Sequence, residues 1–478
     1  MQRKFLLNLI LLMVLNFLIK PFWIFGIDRT VQNTLPSSDY GIYFALFNFS
    51  MLFSILLDLG LTNYNNKNIA QHQHLLSKYF SGLLMFKFLL VLVYFAITFA
   101  VGFIVGYDSQ RFTVLLFLSF NQALVSLILF LRSNVSAIQK FGTDSLLSVL
   151  DKFLMIVFCG IVLWSGFFKL TIHHFILSQT LAYLITLIVV FLVVYQNTTK
   201  FKFSVNFSFV LATLKQTYPY ALLVLAMSFY YRLDAIMLDL MLPDGEQQVA
   251  IYAQAYRLLD ASSQIGVLFA SLLLPMFAYM IKQKEELHSL IKLSFSLLFI
   301  PASVLAIFVF FYASTIVELL YQNNSNETSS VLSLLMMCFV AIATTYIFGT
   351  LLTSNGSLKQ LNVISIIGLG LNFLLNLILI PKYKAEGAAF TSLITQIIVV
   401  LLQLWVCKLI FDFKINLGYL LKIAGVLVVA FVITYVLKNS QINFIWSFFI
   451  LLLVSGVLVF ILKIIQLKEL YLLIKNKK

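Results

Sequence analysis

The chain has 478 residues, 62% of them apolar and 10% charged, so about 296 apolar residues are available, enough for fourteen or fifteen membrane-crossing helices of about 20 residues each. A charged fraction this far below the roughly 25% of soluble domains leaves too little polar material to coat a water-facing surface, and a soluble fold is excluded. The formal charge of +14, from 32 Lys and Arg against 18 Asp and Glu, marks cytoplasmic loops in a membrane protein and not a nucleic-acid partner. Cys159, Cys338 and Cys407 lie far apart inside apolar stretches, without the spacing of a zinc site or a disulfide framework. They read as buried small hydrophobes, and neither a metal nor a cofactor is expected.

Breaking the apolar runs at clusters of charge, Gly, Pro and Asn predicts an all-α integral membrane protein. Its spans fall near residues 5–27, 40–62, 79–106, 112–136, 146–166, 172–195, 217–242, 249–281, 291–313, 328–353, 361–381, 387–411, 419–437 and 444–462. Short cytoplasmic loops retain cations during insertion. One alternate set of loops, with the termini, holds 22 cations, among them Arg3, Lys4, Lys67, Lys78, Arg132, Lys140, Lys152, Lys282, Lys292 and Lys408. The other holds six: Arg29, Arg111, Lys169, Lys382, Lys384 and Lys438. The asymmetry places both termini in the cytoplasm, and the N-terminal run, which lacks a small-residue cleavage site, reads as a retained helix and not as a signal peptide. No loop exceeds roughly 20 residues, so function is expected to reside in the bundle.

The segment Leu35, Pro36, Tyr40, Gly41, Ile42, Tyr43, Phe44, Ala45 recurs as Leu242, Pro243, Val249, Ala250, Ile251, Tyr252, Ala253, Gln254. Asp28 precedes the first Leu-Pro by seven residues and Asp234 the second by eight. Six spans separate the copies, an even number, so the repeat is parallel and predicts two like-oriented bundles. The competing reading is that a Leu-Pro turn followed by aromatics simply starts a helix at a membrane interface.

Asp39-Tyr40-Gly41-Ile42-Tyr43, then Asp58-Leu59-Gly60-Leu61 and Asn68-Ile69-Ala70, resemble the start of bacterial polysaccharide exporters of the MOP superfamily, which include the O-antigen flippases. A more specific match runs from Asn372 through Asn376 to Pro381 and continues at Glu386-Gly387-Ala388-Ala389-Phe390-Thr391, resembling that family's helix pair eleven and twelve. With Arg232-Leu233-Asp234 and Tyr252 through Arg257, the resemblance covers about residues 5–411. It implies a MATE-like arrangement of two six-helix lobes, residues 1–207 and 208–412, with two further helices and a basic tail in 413–478. It also implies a flippase for an undecaprenyl-diphosphate-linked oligosaccharide in the bacterial inner membrane, and by position it matches Lys20 and Arg257 to cations of the first and eighth helices that meet the diphosphate. Pro21 follows Lys20 where the family pattern has an acid. A polysaccharide polymerase and chain-length machinery are the partners implied.

Ionisable groups inside a span cost a few kcal/mol and turn toward a partner or a wet cavity. Lys20, Arg232 and Arg257 are therefore the candidate substrate contacts, and Asp234, Asp239 and Asp260 the candidates for ion coupling or charge pairing. Each has a plainer reading. Arg257 and Asp260 are three apart and suit an intrahelical ion pair; Lys20 could snorkel outward; Arg232 and Asp234 point to different sides of a helix. Lys87 is expected to reach the cytoplasmic interface with its long stem, and Asp58 to meet Lys67, with proton binding as the alternative. Asn372 and Asn376 share a face and serve as interhelical glue or as sugar contacts in the cavity. His72-x-His74 lacks further metal ligands, and Asn323, Asn324 and Asn326 form sequon-like patterns without weight in a bacterium.

No phosphate-binding Gly-rich loop followed by Lys-Ser or Lys-Thr occurs, so transport without ATP and without enzymatic chemistry is expected. A cation-coupled drug antiporter of the same superfamily is one rival. A membrane polymerase or glycosyltransferase is the other, disfavoured because there is no long external loop and no acidic pair in the first one, where Asp28 and Asp39 stand eleven residues apart.

Overall fold

A computed structural model describes residues 14–16, 18–62, 65, 76–138, 140–166, 169–196, 207–322, 326–412, 416–440 and 442–465. Arg3, Lys4, Lys67, His72, His74, Asn323 and Asn324 lie outside them, as does the basic tail. Among the described residues every regular element is helical. A π-helical stretch, Phe22–Asp28, follows Pro21 and runs into α1 (Arg29–Thr34). Then come α2 (Ser37–Leu52), α3 (Leu76–Val105), α4 (Ser109–Ala137), α5 (Phe141–Trp164), α6 (Ile172–Tyr195), α7 (Phe207–Met241) and α8 (Gly245–Gln283). After these follow α9 (His288–Leu320), α10 (Asn326–Ser354), α11 (Leu358–Phe411), α12 (Leu417–Asn439) and α13 (Phe444–Ile461). Each of the fourteen predicted runs overlaps helix in its described part, the second only in part. Ten helices among the described residues are long and apolar enough to cross a membrane, and this is a multi-pass all-α membrane protein.

The local reasons are readable. Asp108 caps α4 by accepting from the Arg111 amide, Thr171 caps α6 through the His174 amide, and Asn416 caps α12 through the Tyr419 amide. At 54 residues α11 would be about 80 Å long if straight, far beyond the roughly 30 Å of hydrocarbon. It breaks at Lys384, whose φ of 49° and ψ of −131° are non-helical. The chain folds back there: a Cβ on Gly387 would stand 2.4 Å from the Leu379 carbonyl oxygen. Two predicted spans therefore share one element with a sharp turn. The second span is interrupted as well. α2 stops at Leu52, a 3₁₀ turn covers Ser54–Leu57, and Leu59 and Gly60 take positive φ.

The chain divides into two compact units, residues 1–250 and 251–478. In the first, α2 packs on α7 and α4, and α6 on α4 and α5. Its core includes Phe80 stacked on Phe130, with Leu131, Ala182 and Val190 around them. Tyr40 and Gln32 donate to the buried Asp28 carboxylate at 3.1 and 3.0 Å. The first copy meets the beginning of the second in this unit. Both Leu-Pro turns lead into helices, and Gly41 lies so close to the Glu246 backbone that a Cβ there would fall 1.8 Å from its carbonyl oxygen; close backbone approach at a small residue is how membrane helices pack tightly.

In the second unit α10 packs on α9 and α11, and α12 and α13 pack on α9. Tyr419 and Ser296 share a 2.7 Å hydrogen bond. At the other end of α9, where Tyr312 leaves helical geometry, the Tyr312 hydroxyl donates to Ser447 at 3.1 Å and Lys438 donates to the Phe311 carbonyl. The Lys438 ammonium thus satisfies a backbone carbonyl where the helix bends, as the bilayer interior demands, and the Tyr312 hydroxyl ties α9 to the Ser447 side chain of α13. All three cysteines are buried and outside any disulfide, as their apolar surroundings predict.

Candidate functional site

The charged residues inside the helices collect into groups. In the first unit Lys20 is half-buried and in the range of Lys152, Asp151 and Arg132. Arg132 donates through Nε to Asp144 at 2.9 Å. Lys152, counted above with the cytoplasmic loops, belongs to the interior of α5.

Arg232 donates to Asn48 Oδ1 of α2 at 3.1 Å, a neutral amide. Asp234, two residues on, is 1% exposed, on a different side of α7 as its spacing predicts.

Asp239 is held by a bidentate pair: Arg111 Nη1 and Nη2 donate to its two oxygens at 2.6 and 3.1 Å, while Nη2 also reaches Glu246 at 3.0 Å. Arg111 was expected in an external loop. It is in the first turn of α4 because Asp108 caps that helix, and from there the guanidinium ties α4 to the end of α7 and the start of α8. Tyr107 faces the same guanidinium at 5.7 Å; burial, with the nearby Asp239 carboxylate, pushes its phenol above the ordinary range. The fork geometry of Arg suits two carboxylates at once. No sequence spacing connects residues 111, 239 and 246, so this trio was not readable beforehand.

Lys87 requires a correction. It does not snorkel: the residue is fully buried, and its ammonium donates to the Asp58 carboxylate, to Leu57 O at 3.0 Å and to Ser126 Oγ at 3.0 Å. The break after α2 frees the Leu57 carbonyl and turns Asp58 inward, and a buried cation from α3 answers both. Lys67 lies outside the described residues; Thr62 is the other group on Asp58.

In the second unit Arg257 and Asp260 form an ion pair one turn apart at 3.9 Å, the plainer of the two readings above. Asn376 donates to Asn372 at 3.2 Å, both fully buried. On the other arm of α11, Thr391, Thr395, Gln396 and Gln403 are buried too, giving this unit a polar interior that the search for charges missed; the signal was the Thr and Gln spacing in an otherwise apolar run.

A family described as polysaccharide biosynthesis protein matches residues 5–281, more than half of the chain. The chain belongs to that family. No curated protein matches it. Among solved structures, the lipid II flippase MurJ in an inward closed conformation superposes with a TM-score of 0.71 at 16% identity, over 95% of this chain and 98% of that one. An inward-facing MATE family multidrug resistance transporter of the MOP superfamily gives 0.62 at 12% identity, over 84% and 99%. A MOP superfamily transporter from Pyrococcus furiosus gives 0.57 at 15%, over 84% and 93%. The chain thus shares the fold of these flippase and transporter structures.

Proposed function

We propose that this protein is a flippase that carries an undecaprenyl-diphosphate-linked oligosaccharide from the inner to the outer leaflet of the bacterial cytoplasmic membrane for surface polysaccharide assembly. The observation that carries this reading is the family match over residues 5–281. The likeness to a lipid II flippase over 95% of the chain, against 84% for the multidrug transporter, favours it over drug antiport. In this reading residues 1–207 and 208–412 are two like-oriented lobes, 413–478 is an appendage, and both termini are cytoplasmic. Lys20, Arg232 and Arg257 compensate the diphosphate charge while the prenyl tail stays in lipid. Asp260 balances Arg257 and Asp239 balances Arg111, Asp234 and Asp239 stay the candidates for ion coupling, and Asn372 and Asn376 add polar lining. An inside-negative potential favours outward movement of negative charge by about 2.3 kcal/mol per charge per 100 mV, and no enzymatic step is needed. A polymerase and chain-length proteins would take the product.

Deleting the chromosomal copy tests this reading. Lipid-linked oligosaccharide should accumulate on the inner leaflet and surface glycan should be lost. Arg257→Ala should fail to restore export although it inserts normally, and Arg257→Lys should restore part of it. Unchanged surface glycan in the deletion strain would reject the proposal.

A further inference from the structure

The break in the second span frees backbone groups inside the first unit, and a charge from the same chain satisfies them. α2 stops at Leu52, the 3₁₀ turn ends at Leu57, and Leu59 and Gly60 follow with φ of 46° and 84°. A left-handed conformation at a residue other than glycine is strained and persists only where its surroundings hold it. Those surroundings converge on one point. The Lys87 ammonium, from the interior of α3, donates to Leu57 O at 3.0 Å, to Ser126 Oγ of α4 at 3.0 Å and to the Asp58 carboxylate. Ser126 itself donates to Leu57 O at 3.2 Å. Thr62 holds the same carboxylate through its amide, at 3.2 Å, and its hydroxyl.

This donor set has the chemistry of a cation site. A carbonyl freed by a helix break, a carboxylate and a hydroxyl, drawn from three stretches of chain, are the oxygen ligands that hard cations take. Unwound backbone at membrane depth is also where carriers coordinate their coupling ions. An ion pair that served packing alone would need only the carboxylate. Here each of the three N–H bonds of the ammonium has an acceptor, so the charge is enclosed by oxygens and no donor is left over for an anion. The Phe130 ring lies 5.6 Å from the ammonium and covers it. The Lys87 side chain is 0% exposed and that of Asp58 28%. The oxygen cluster is therefore open to a polar medium on the Asp58 side and plugged by the lysine.

We propose that the Lys87 ammonium is a tethered substitute for a soluble monovalent cation. Leu57 O, Asp58 and Ser126 Oγ form a site for a single positive charge, and the chain fills it with its own side chain, so the broken second span closes without a coupling ion. The site rests on contacts within the first unit; its bearing on transport rests on the flippase reading. Where a broken helix closes only around a soluble cation, its movement is linked to that cation's concentration. A cation on a tether carries no gradient, so this hinge closes independently of sodium.

The test uses the purified full-length chain in lipid nanodiscs and follows thermal unfolding in sodium, ammonium or N-methyl-D-glucamine chloride at equal ionic strength. Lys87→Ala empties the site and should melt below wild type in N-methyl-D-glucamine, whose cation is too large to enter. Sodium or ammonium should then raise its melting temperature by about 3–5 °C more than they raise that of wild type. Lys87→Ser, which adds an oxygen to the cluster, should gain at least as much. Lys87→Met keeps the space filled and should gain no more than wild type, and Lys87→Ala with Asp58→Asn lacks the carboxylate and should lose the gain. A gain in ammonium alone supports a site shaped to N–H donors; a gain in both salts supports one that reads charge and size. The proposal is overturned if Lys87→Ala and Lys87→Ser gain no more than wild type, if both stay unfolded in all three salts, or if Lys87→Met gains equally. Unchanged surface glycan in a deletion strain, beside a cation gain in Lys87→Ala, overturns the flippase reading and leaves the site standing.

Discussion

Replacing Lys87 by Met removes a cation whose three partners, the Asp58 carboxylate, Leu57 O and Ser126 Oγ, were arranged around it. Breaking a fully buried ion pair from one side costs about 3–5 kcal/mol, because the surviving charge is left uncompensated. Asp58 is 28% exposed, so water recovers part of that, and an expected cost of about 2–3 kcal/mol follows. The cation–π contact of Lys87 with Phe130 at 5.6 Å is replaced by a thioether of similar length. Asp58→Asn should cost at least as much, since it leaves the Lys87 ammonium, 0% exposed, without its counter-charge, although the amide can still accept from Lys87 and from the Thr62 amide, which bonds the carboxylate at 3.2 Å. The measurement is a double-mutant cycle on thermal unfolding in detergent with wild type, Lys87→Met, Asp58→Asn and the double variant. The double variant should be clearly more stable than the sum of the single losses allows, by about 1 kcal/mol or more. Strict additivity would refute the buried pair and return Lys87 to the interface.

For the trio at Arg111, Asp239→Asn should lower thermal stability more than Glu246→Gln, because the Asp239 side chain is 1% exposed and that of Glu246 38%; a reversed order in the same unfolding assay would count against the bidentate geometry. Arg111→Lys keeps the charge and loses the fork, so it should fall between wild type and Arg111→Ala. Gly41→Ala should cost about 3 kcal/mol or prevent folding, since its Cβ would overlap the Glu246 carbonyl, and normal yield and melting temperature would refute that close approach. Lys384→Gly should raise stability by about 1 kcal/mol by relieving a positive φ, read as a higher melting temperature with unchanged insertion.

The fold was legible wherever the bilayer dictated it. A run of about 20 apolar residues between polar breaks has few options other than a spanning helix, which is why α4, α6, α10 and α13 start and stop within a few residues of expectation. The breaks were less legible. Between residues 40 and 62 no residue announces that α2 will end at Leu52, because what makes the break tolerable is Lys87, far along the chain, meeting the freed carbonyl. At Lys384 the turn itself was expected, from Pro381 and its flanking lysines, but not that a lysine would take the positive φ while Gly387 serves the close contact with Leu379.

The site was legible as chemistry and not as pairing. Intramembrane charge is so costly that Lys20, Lys87, Arg232, Arg257 and the acids of α7 and α8 stand out by type alone; what each one meets depends on helix rotation, which apolar runs do not encode. Arg257 with Asp260 was readable, since both lie on one helix three residues apart. Arg111 with Asp239 was not, since 128 residues separate them. Counting cations by loop also misassigned Lys152, because a helix that runs from Phe141 to Trp164 has that residue near its middle. Topology counts reward cations near helix ends, so a lysine assigned to a loop is the one whose depth most needs coordinates. Here the coordinates turn Lys152 from an orientation signal into a part-exposed cation in the middle of α5, braced by the Trp23 and Tyr183 rings and the Tyr183 hydroxyl.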